Sequence, residues 1–201
     1  AMEDIPPHSP ASMTEMLDVA IKSSERLQLL VKSLLDINRL EAGHPISNQS
    51  FYNVSMLLGE AQNSIQATLD RRGIAVELKT PLFMPDVYID DDMIRRVLIN
   101  LMDNALKYSQ DGQIITVEVS EPSDERITIS VSDQGPGIPR KYRDVIFEKF
   151  RRIQEQQPRK GIGLGLAFCR LAVEAHKGKI WVDSGPRGGA RFNFTLPVGD
   201  R

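Results

Sequence analysis

Apolar residues first recur along the chain at helical spacing. Leu17, Ile21, Leu27, Leu30, Val31, Leu34, Leu35, Ile37 and Leu40 precede Gly43 and Pro45, which together form a helix stop. Ser9 before Pro10, or Ser12 with Glu15 as a capping box, would start this helix. Ending near Ala42, it would be roughly 45 Å long. Its apolar positions cover more than a coiled-coil seam, as in a helix of a multi-helix bundle. The pattern predicts packing on partner helices, with a second copy of the chain as one source.

Downstream the pattern shortens. Residues 44–50 read as a linker. A helix is predicted across Val54 to Arg71, ended by Gly73. Ile74 to Lys79 and Val87 to Ile89 read as strands. Asp90, Asp91 and Asp92 crowd the start of the next helix, where carboxylates suit the helix dipole, and that helix runs to about Tyr108. Ile114 to Val119 and Ile127 to Val131 alternate as strands. A glycine-rich loop, a polar region and a second glycine-rich loop lead into a helix ending near His176. Lys179 to Val182 and Ala190 to Leu196 complete the sheet. This order predicts an α/β protein: a two-layer α/β sandwich with helices on one face, preceded by the long N-terminal helix.

The 201 residues suit one domain of ordinary size plus an appendage. A net charge of −2 offers no global field to nucleic acid or anionic lipid. No apolar run approaches the ~20 residues of a membrane helix, and the polar, Pro-rich start has no signal-peptide core. The single cysteine, Cys169, allows no internal disulfide and fits a reducing compartment. The expectation is a cytoplasmic segment without nucleic-acid or membrane contacts of its own, whose longer parent has room for a membrane anchor.

Four separated segments carry candidate chemistry. In Asn100-Leu-Met-Asp-Asn104-Ala-Leu-Lys107-Tyr108, the positions Ile94, Val97, Leu98, Leu101 and Ala105 make a buried stripe, and Asn100, Asn104 and Lys107 share another face. An amide oxygen there can ligate Mg²⁺ and a lysine can meet phosphate. Asp133-Gln-Gly135-Pro-Gly137-Ile-Pro follows a strand. Its glycines let backbone approach a ligand, and a buried carboxylate, an acceptor only, suits the exocyclic amine of adenine and rejects guanine. Phe147-Glu-Lys-Phe150-Arg-Arg offers two aromatics to anchor a lid. Gly161-Ile-Gly163-Leu-Gly165-Leu166 opens a helix and can present N–H groups to phosphate, although no Gly-Lys-Ser/Thr follows. Each segment alone also reads as a polar helix face, a turn, a packed short helix or a plain loop.

In order and spacing, the four resemble the asparagine, first-glycine, phenylalanine and second-glycine boxes of the sensor histidine kinase catalytic domain, a Bergerat (GHKL) ATP-binding fold. The resemblance covers about Ser47 to Val198. Leu34-Leu-Asp-Ile-Asn-Arg-Leu-Glu-Ala-Gly43 is similar to the end of the second helix of the family's dimerization domain. The implied domains are residues 1–46, part of a dimerization and phosphoacceptor domain with its linker, and 47–201, the catalytic domain. The resemblance makes Asn104 the Mg²⁺ ligand, sets Asn100 towards the phosphates and has Lys107 hold them. Tyr108 would pack near adenine, Asp133 would bind its amine, and Gly135 and Gly137 would shape that wall. Gly161, Gly163 and Gly165, with Leu166 beside them, would wrap the triphosphate. Phe147 and Phe150 would support the lid, and Thr195 would lie under adenine. Many relatives carry a hydroxyl residue where this chain has Ile162.

Hydrolysing relatives place a glutamate four residues before the metal-binding asparagine. Here that position holds Asn100, an amide that cannot act as a base, so the site is expected to align ATP for transfer rather than hydrolysis. None of His8, His44 and His176 fits the family's phosphoacceptor motif. The acceptor is therefore expected on an upstream helix of a longer parent or on another protein. The implied partners are that acceptor helix, the receiver domain of a response regulator, and a second copy in a homodimer. The alternative is a nucleotide-sensing interaction module of the same fold without phosphotransfer.

Overall fold

The computed structural model describes residues 10–46, 48–151 and 163–199. Helix α1 spans Pro10–Glu41. Its start fits Pro10 as the first helical residue; Ser9 and the side chains of Ser12 and Glu15 lie outside the described residues. Strand β1 (Ser50–Asn53) leads into α2 (Val54–Arg72), followed by β2 (Ala75–Lys79), β3 (Asp86–Ile89) and α3 (Asp91–Tyr108). The chain continues through β4 (Ile114–Val119), β5 (Arg126–Ser132), α4 (Gly165–Ala175), β6 (Ile180–Ser184) and β7 (Ala190–Pro197).

The helix boundaries follow local chemistry. Asn53 Oδ1 accepts from the Ser55 N–H at 3.0 Å and so caps α2, which ends on Gly73 in the left-handed conformation at φ 59°. Asp90 caps α3 by accepting from Met93 N–H at 3.0 Å, and Asp91 and Asp92 add negative charge to its first turn.

Five strands form the main sheet in the order β2-β4-β5-β7-β6, with β2 parallel to β4 and the other pairs antiparallel. Helices α2, α3 and α4 cover one face. Ile115, Val117, Ile127, Ile129, Phe194 and Leu196 project from the strands into a core that also takes Leu57, Leu69, Ile94, Leu98, Leu101 and Phe168. This is the expected helix-on-sheet sandwich. Strand β1 falls at the end of the stretch read as linker. It pairs antiparallel with β3 in a separate two-stranded sheet. Four residues with Phe51 half-exposed carry no inside–outside alternation, so the pattern did not reveal it.

Helix α1 behaves differently at its two ends. Its last turns pack on α4, with Ile37 fully buried. Arg96 of α3 ion-pairs with Asp36, donates to Ser33 Oγ, and lies 4.0 Å over the Phe168 ring. Glu41 pairs with Lys149 at 2.7 Å. Further back, Met16, Leu17, Ile21, Leu27 and Val31 are exposed. Among the described residues, no helix is long and apolar enough to cross a membrane.

Candidate nucleotide site

Helix α3 carries the central face. Ile94, Val97, Leu98, Leu101 and Ala105 sink into the core as expected. That orientation turns Asn100, Asn104 and Lys107, all half-buried, away from the sheet. Each end of this face meets a glycine loop. At one end the Asn100 Oδ1 lies 3.3 Å from where a Cβ on Gly165 would stand. At the other, a Cβ on Gly135 would come within 2.7 Å of the Tyr108 carbonyl oxygen. Eight helical residues separate these contacts, roughly 12 Å of helix axis. Both loops run close to α3; at Gly135 only glycine permits the approach to backbone, and at Gly165 a larger residue would have to push the Asn100 side chain aside.

Asp133 sits where β5 ends. It is 4 % exposed, and its Oδ1 accepts from the Gly135 N–H at 2.8 Å and the Ala190 N–H at 3.1 Å. Burial pushes its pKa above the ordinary carboxylate value, and the two backbone donors pull partly back. A carboxylate held in this way is aimed rather than floppy.

The β6–β7 hairpin builds the rest of that pocket. A Cβ on Gly189 would come within 2.2 Å of the Asp133 carbonyl oxygen, and one on Gly137 within 2.9 Å of the Gly189 carbonyl oxygen. Gly189 and Ala190 therefore belong to the site, although no reading of the sequence singled them out. The signal was present in Gly185-Pro-Arg-Gly188-Gly189, a glycine-dense turn ahead of a strand.

The segment carrying Phe147 and Phe150 is anchored at one end. Phe147 is buried and meets Phe192 edge-to-face, with ring centroids 6.3 Å apart. Phe150 differs from the expected anchor: it is 60 % exposed, in the left-handed region at φ 61°. Its backbone N–H donates to the Gly163 carbonyl at 2.9 Å. Gly163 also takes a positive φ of 78° and backs directly onto Phe150 and Arg151. Leu166 lies in the first turn of α4, partly buried against the core. Gly161 and Ile162 lie outside the described residues.

Thr195 is not brought to the pocket. Its Oγ1 accepts from the Lys179 N–H at 2.9 Å, five residues along β7 from Ala190 and thus roughly 16 Å from the Asp133 end. It shares a strand face with Asn193, not with Phe194 and the core.

Among the described residues, no group of three His, Cys, Asp or Glu could hold a metal ion by itself. The donor set here is amide oxygen on an open helix face. It fits a cation that keeps waters and shares phosphate oxygens, as Mg²⁺ does, rather than a metal caged by protein.

The remaining marked residues are structural. Cys169 is fully buried and its thiol is pushed up to about 12 by burial, with a partial offset from the Asn100 side chain. His176 is 2 % exposed; its Nε2 accepts from the Asp90 N–H at 3.0 Å and its Nδ1–H donates to the Ala172 carbonyl at 2.7 Å. Both ring nitrogens are therefore engaged. His44 is exposed beside the Arg39 carbonyl, and His8 lies outside the described residues.

This geometry agrees with comparison to known proteins. Residues 89–200 match the family described as histidine kinase-, DNA gyrase B-, and HSP90-like ATPase. The chain belongs to that family. It carries a histidine-kinase type of ATP-binding domain. The adaptive-response sensory kinase SasA of Trichormus variabilis is 35 % identical over 189 residues, covering 94 % of this chain and 47 % of that protein. SasA of Rippkaea orientalis is 44 % identical over 118 residues, covering 59 % of this chain and 30 % of the relative. The chain thus spans about half the length of the relatives it matches most fully. Full-length ShkA in complex with AMPPNP superposes with a TM-score of 0.82 at 26 % identity, covering 94 % of this chain and 39 % of ShkA. The catalytic domain of the histidine kinase ThkA gives 0.68 at 27 %, covering 76 % of this chain and 97 % of that domain.

Proposed function

We propose that this chain is the phosphoryl-donor part of a two-component sensor histidine kinase. It binds ATP and presents the γ-phosphate to a histidine carried elsewhere. Residues 47–201 form the catalytic domain, and residues 1–46 belong to a dimerization and phosphoacceptor domain with its linker. The observation that carries this reading is Asp133, buried at a strand end with one oxygen fixed by two backbone N–H groups from different segments.

Asp133 accepts from the exocyclic amine of adenine, and guanine, with a carbonyl there, is rejected. Gly135 and Gly137 let the backbone lie against the base, and Tyr108 borders it. Asn104 and Lys107, between the two glycine loops, face the triphosphate. Gly163 and Gly165 with Leu166 supply the phosphate side at the start of α4, and Gly161 of the same sequence motif acts with them. Asn104 would hold Mg²⁺, which when bound neutralises charge on the phosphate oxygens. Asn100 orients without accepting a proton, so an external imidazole rather than water is the nucleophile. The buried, doubly bonded His176 supports placing that imidazole outside this catalytic unit. The downstream partner is a response-regulator receiver domain, and a homodimer through the N-terminal helix completes the assembly.

Direct titration of ATP and GTP into the chain tests the pocket. Asp133→Asn keeps the shape but turns an amide towards the adenine amine, and should weaken ATP at least about tenfold. Equal affinity for ATP and GTP, or an unaffected variant, would sink the assignment. Mixing the chain with a separately made histidine-bearing helix hairpin and labelled ATP should yield phosphohistidine on the hairpin. ATP binding with no transfer under any condition would leave only nucleotide sensing.

A further inference from the structure

Arg143 follows a short 3-10 turn, Arg140–Tyr142, just beyond the first glycine loop. Its guanidinium does not point to solvent. Nε donates to the Ile138 carbonyl at 3.2 Å, and a terminal nitrogen donates to Ser184 Oγ at 2.8 Å. The other terminal nitrogen lies 3.9 Å from Asp183 Oδ1, and only 23 % of the side chain is exposed. Ile138 belongs to the loop of Gly135 and Gly137. Ser184 ends β6 and pairs with Ala190, whose N–H donates to Asp133 at 3.1 Å. The guanidinium therefore spans the two segments that enclose Asp133. Between them, Gly137 and Gly189 already touch through backbone.

We propose that Arg143 is a positioning residue for nucleotide binding, its guanidinium tying the first glycine loop to the β6–β7 hairpin so that the wall around Asp133 is assembled before the base arrives. The inference rests on the nucleotide-site reading above. A planar fork with donors in fixed directions can serve a carbonyl on one segment and a hydroxyl on another at once; an ammonium group cannot match that spread. Without the tie, loop and hairpin separate in part of the population. Apparent affinity then falls by the fraction that remains competent. Because the tie acts on the base pocket, the loss does not depend on how many phosphates the ligand carries.

The test measures ATP, ADP and AMP affinities by competition against a fluorescent ATP analogue on the full chain. Arg143→Ala should weaken all three by about tenfold, the loss expected if a tenth of the population stays competent. Arg143→Lys, which keeps one bond, should recover part of that loss. Ser184→Ala should be non-additive with Arg143→Ala, because the two act through one contact. Thermal unfolding of each variant separates this from a general loss of fold, and the lysine variant keeps the question open to measurement if the alanine variant is unstable. Unchanged nucleotide affinity in Arg143→Ala, with Asp133→Asn defective, overturns the proposal and leaves the site reading intact. A loss that grows with phosphate number overturns it too, since Arg143 would then act on the phosphates directly. Normal binding by Asp133→Asn would instead remove the site reading and the proposal with it.

Discussion

Asn100 lies against Gly165 where α3 meets α4, and its side chain also reaches the Cys169 thiol. It is therefore held in place, close to the loop proposed to wrap the triphosphate. An amide there orients without accepting a proton. Asn100→Glu restores a potential base at the position where hydrolysing relatives carry one. ATP hydrolysis by that variant should rise about a hundredfold, the low end of what general base catalysis supplies. A hydrolysis rate identical to the parent chain, measured by phosphate release, would remove the distinction between transfer and hydrolysis. The placement of Asn100, Asn104 and Lys107 off the buried stripe of α3, and of Asp133 at the end of β5, was legible in the sequence because helical spacing and strand-end position constrain where such side chains can point. Gly189 and Ala190 were not: the glycine-dense turn marks a place of close backbone approach, but which segment it approaches is set by the pairing of β7 with β5. Where Thr195 lies relative to Asp133 was not legible for a related reason: its distance along β7 depends on pairing with β5 and β6.

At the scale of elements, His176 joins the end of α4 to the cap of α3. Its Nε2 accepts the Asp90 N–H, which demands a neutral ring, and burial lowers its pKa below the ordinary 6.5. The unfolded chain then binds more protons than the folded one below about pH 6.5. The clamp's contribution is fully present above that pH and is lost progressively as pH falls towards the folded-state value. Urea unfolding between pH 7.5 and 5.5 should show stability falling with acidity. His176→Leu should cost about 1–3 kcal/mol at pH 7.5, because it strands a buried N–H, and should flatten the slope. An equal slope in both proteins would mean that another group sets it. The helices and the strands of the main sheet were readable from periodicity, caps and glycines. Strand β1 was not, since a short, half-exposed strand becomes one only by pairing with β3.

For the whole molecule, α1 is the unresolved demand. Its final turns are committed to α3 and α4 through Ile37 and Arg96 and to the Phe147–Phe150 segment through Glu41 and Lys149, while Met16, Leu17, Ile21, Leu27 and Val31 face solvent. A stripe of that extent needs cover. The chain should self-associate through it, and sedimentation velocity should show a dimer that Leu27→Glu with Val31→Glu converts to monomer. A monomer at all concentrations would speak against the dimer. By itself the sequence determined the helix-on-sheet architecture, the long N-terminal helix and the four chemical segments, because periodicity, capping and residue chemistry are local properties. Tertiary structure alone decided which loops meet. It set Gly135 on Tyr108, Gly165 on Asn100, Gly189 on Asp133 and Arg143 across the pocket wall. Those contacts join residues far apart in the chain: the packing of α3 and α4 on the sheet brings the first two together, and the pairing of β7 with β5 and β6 brings the others.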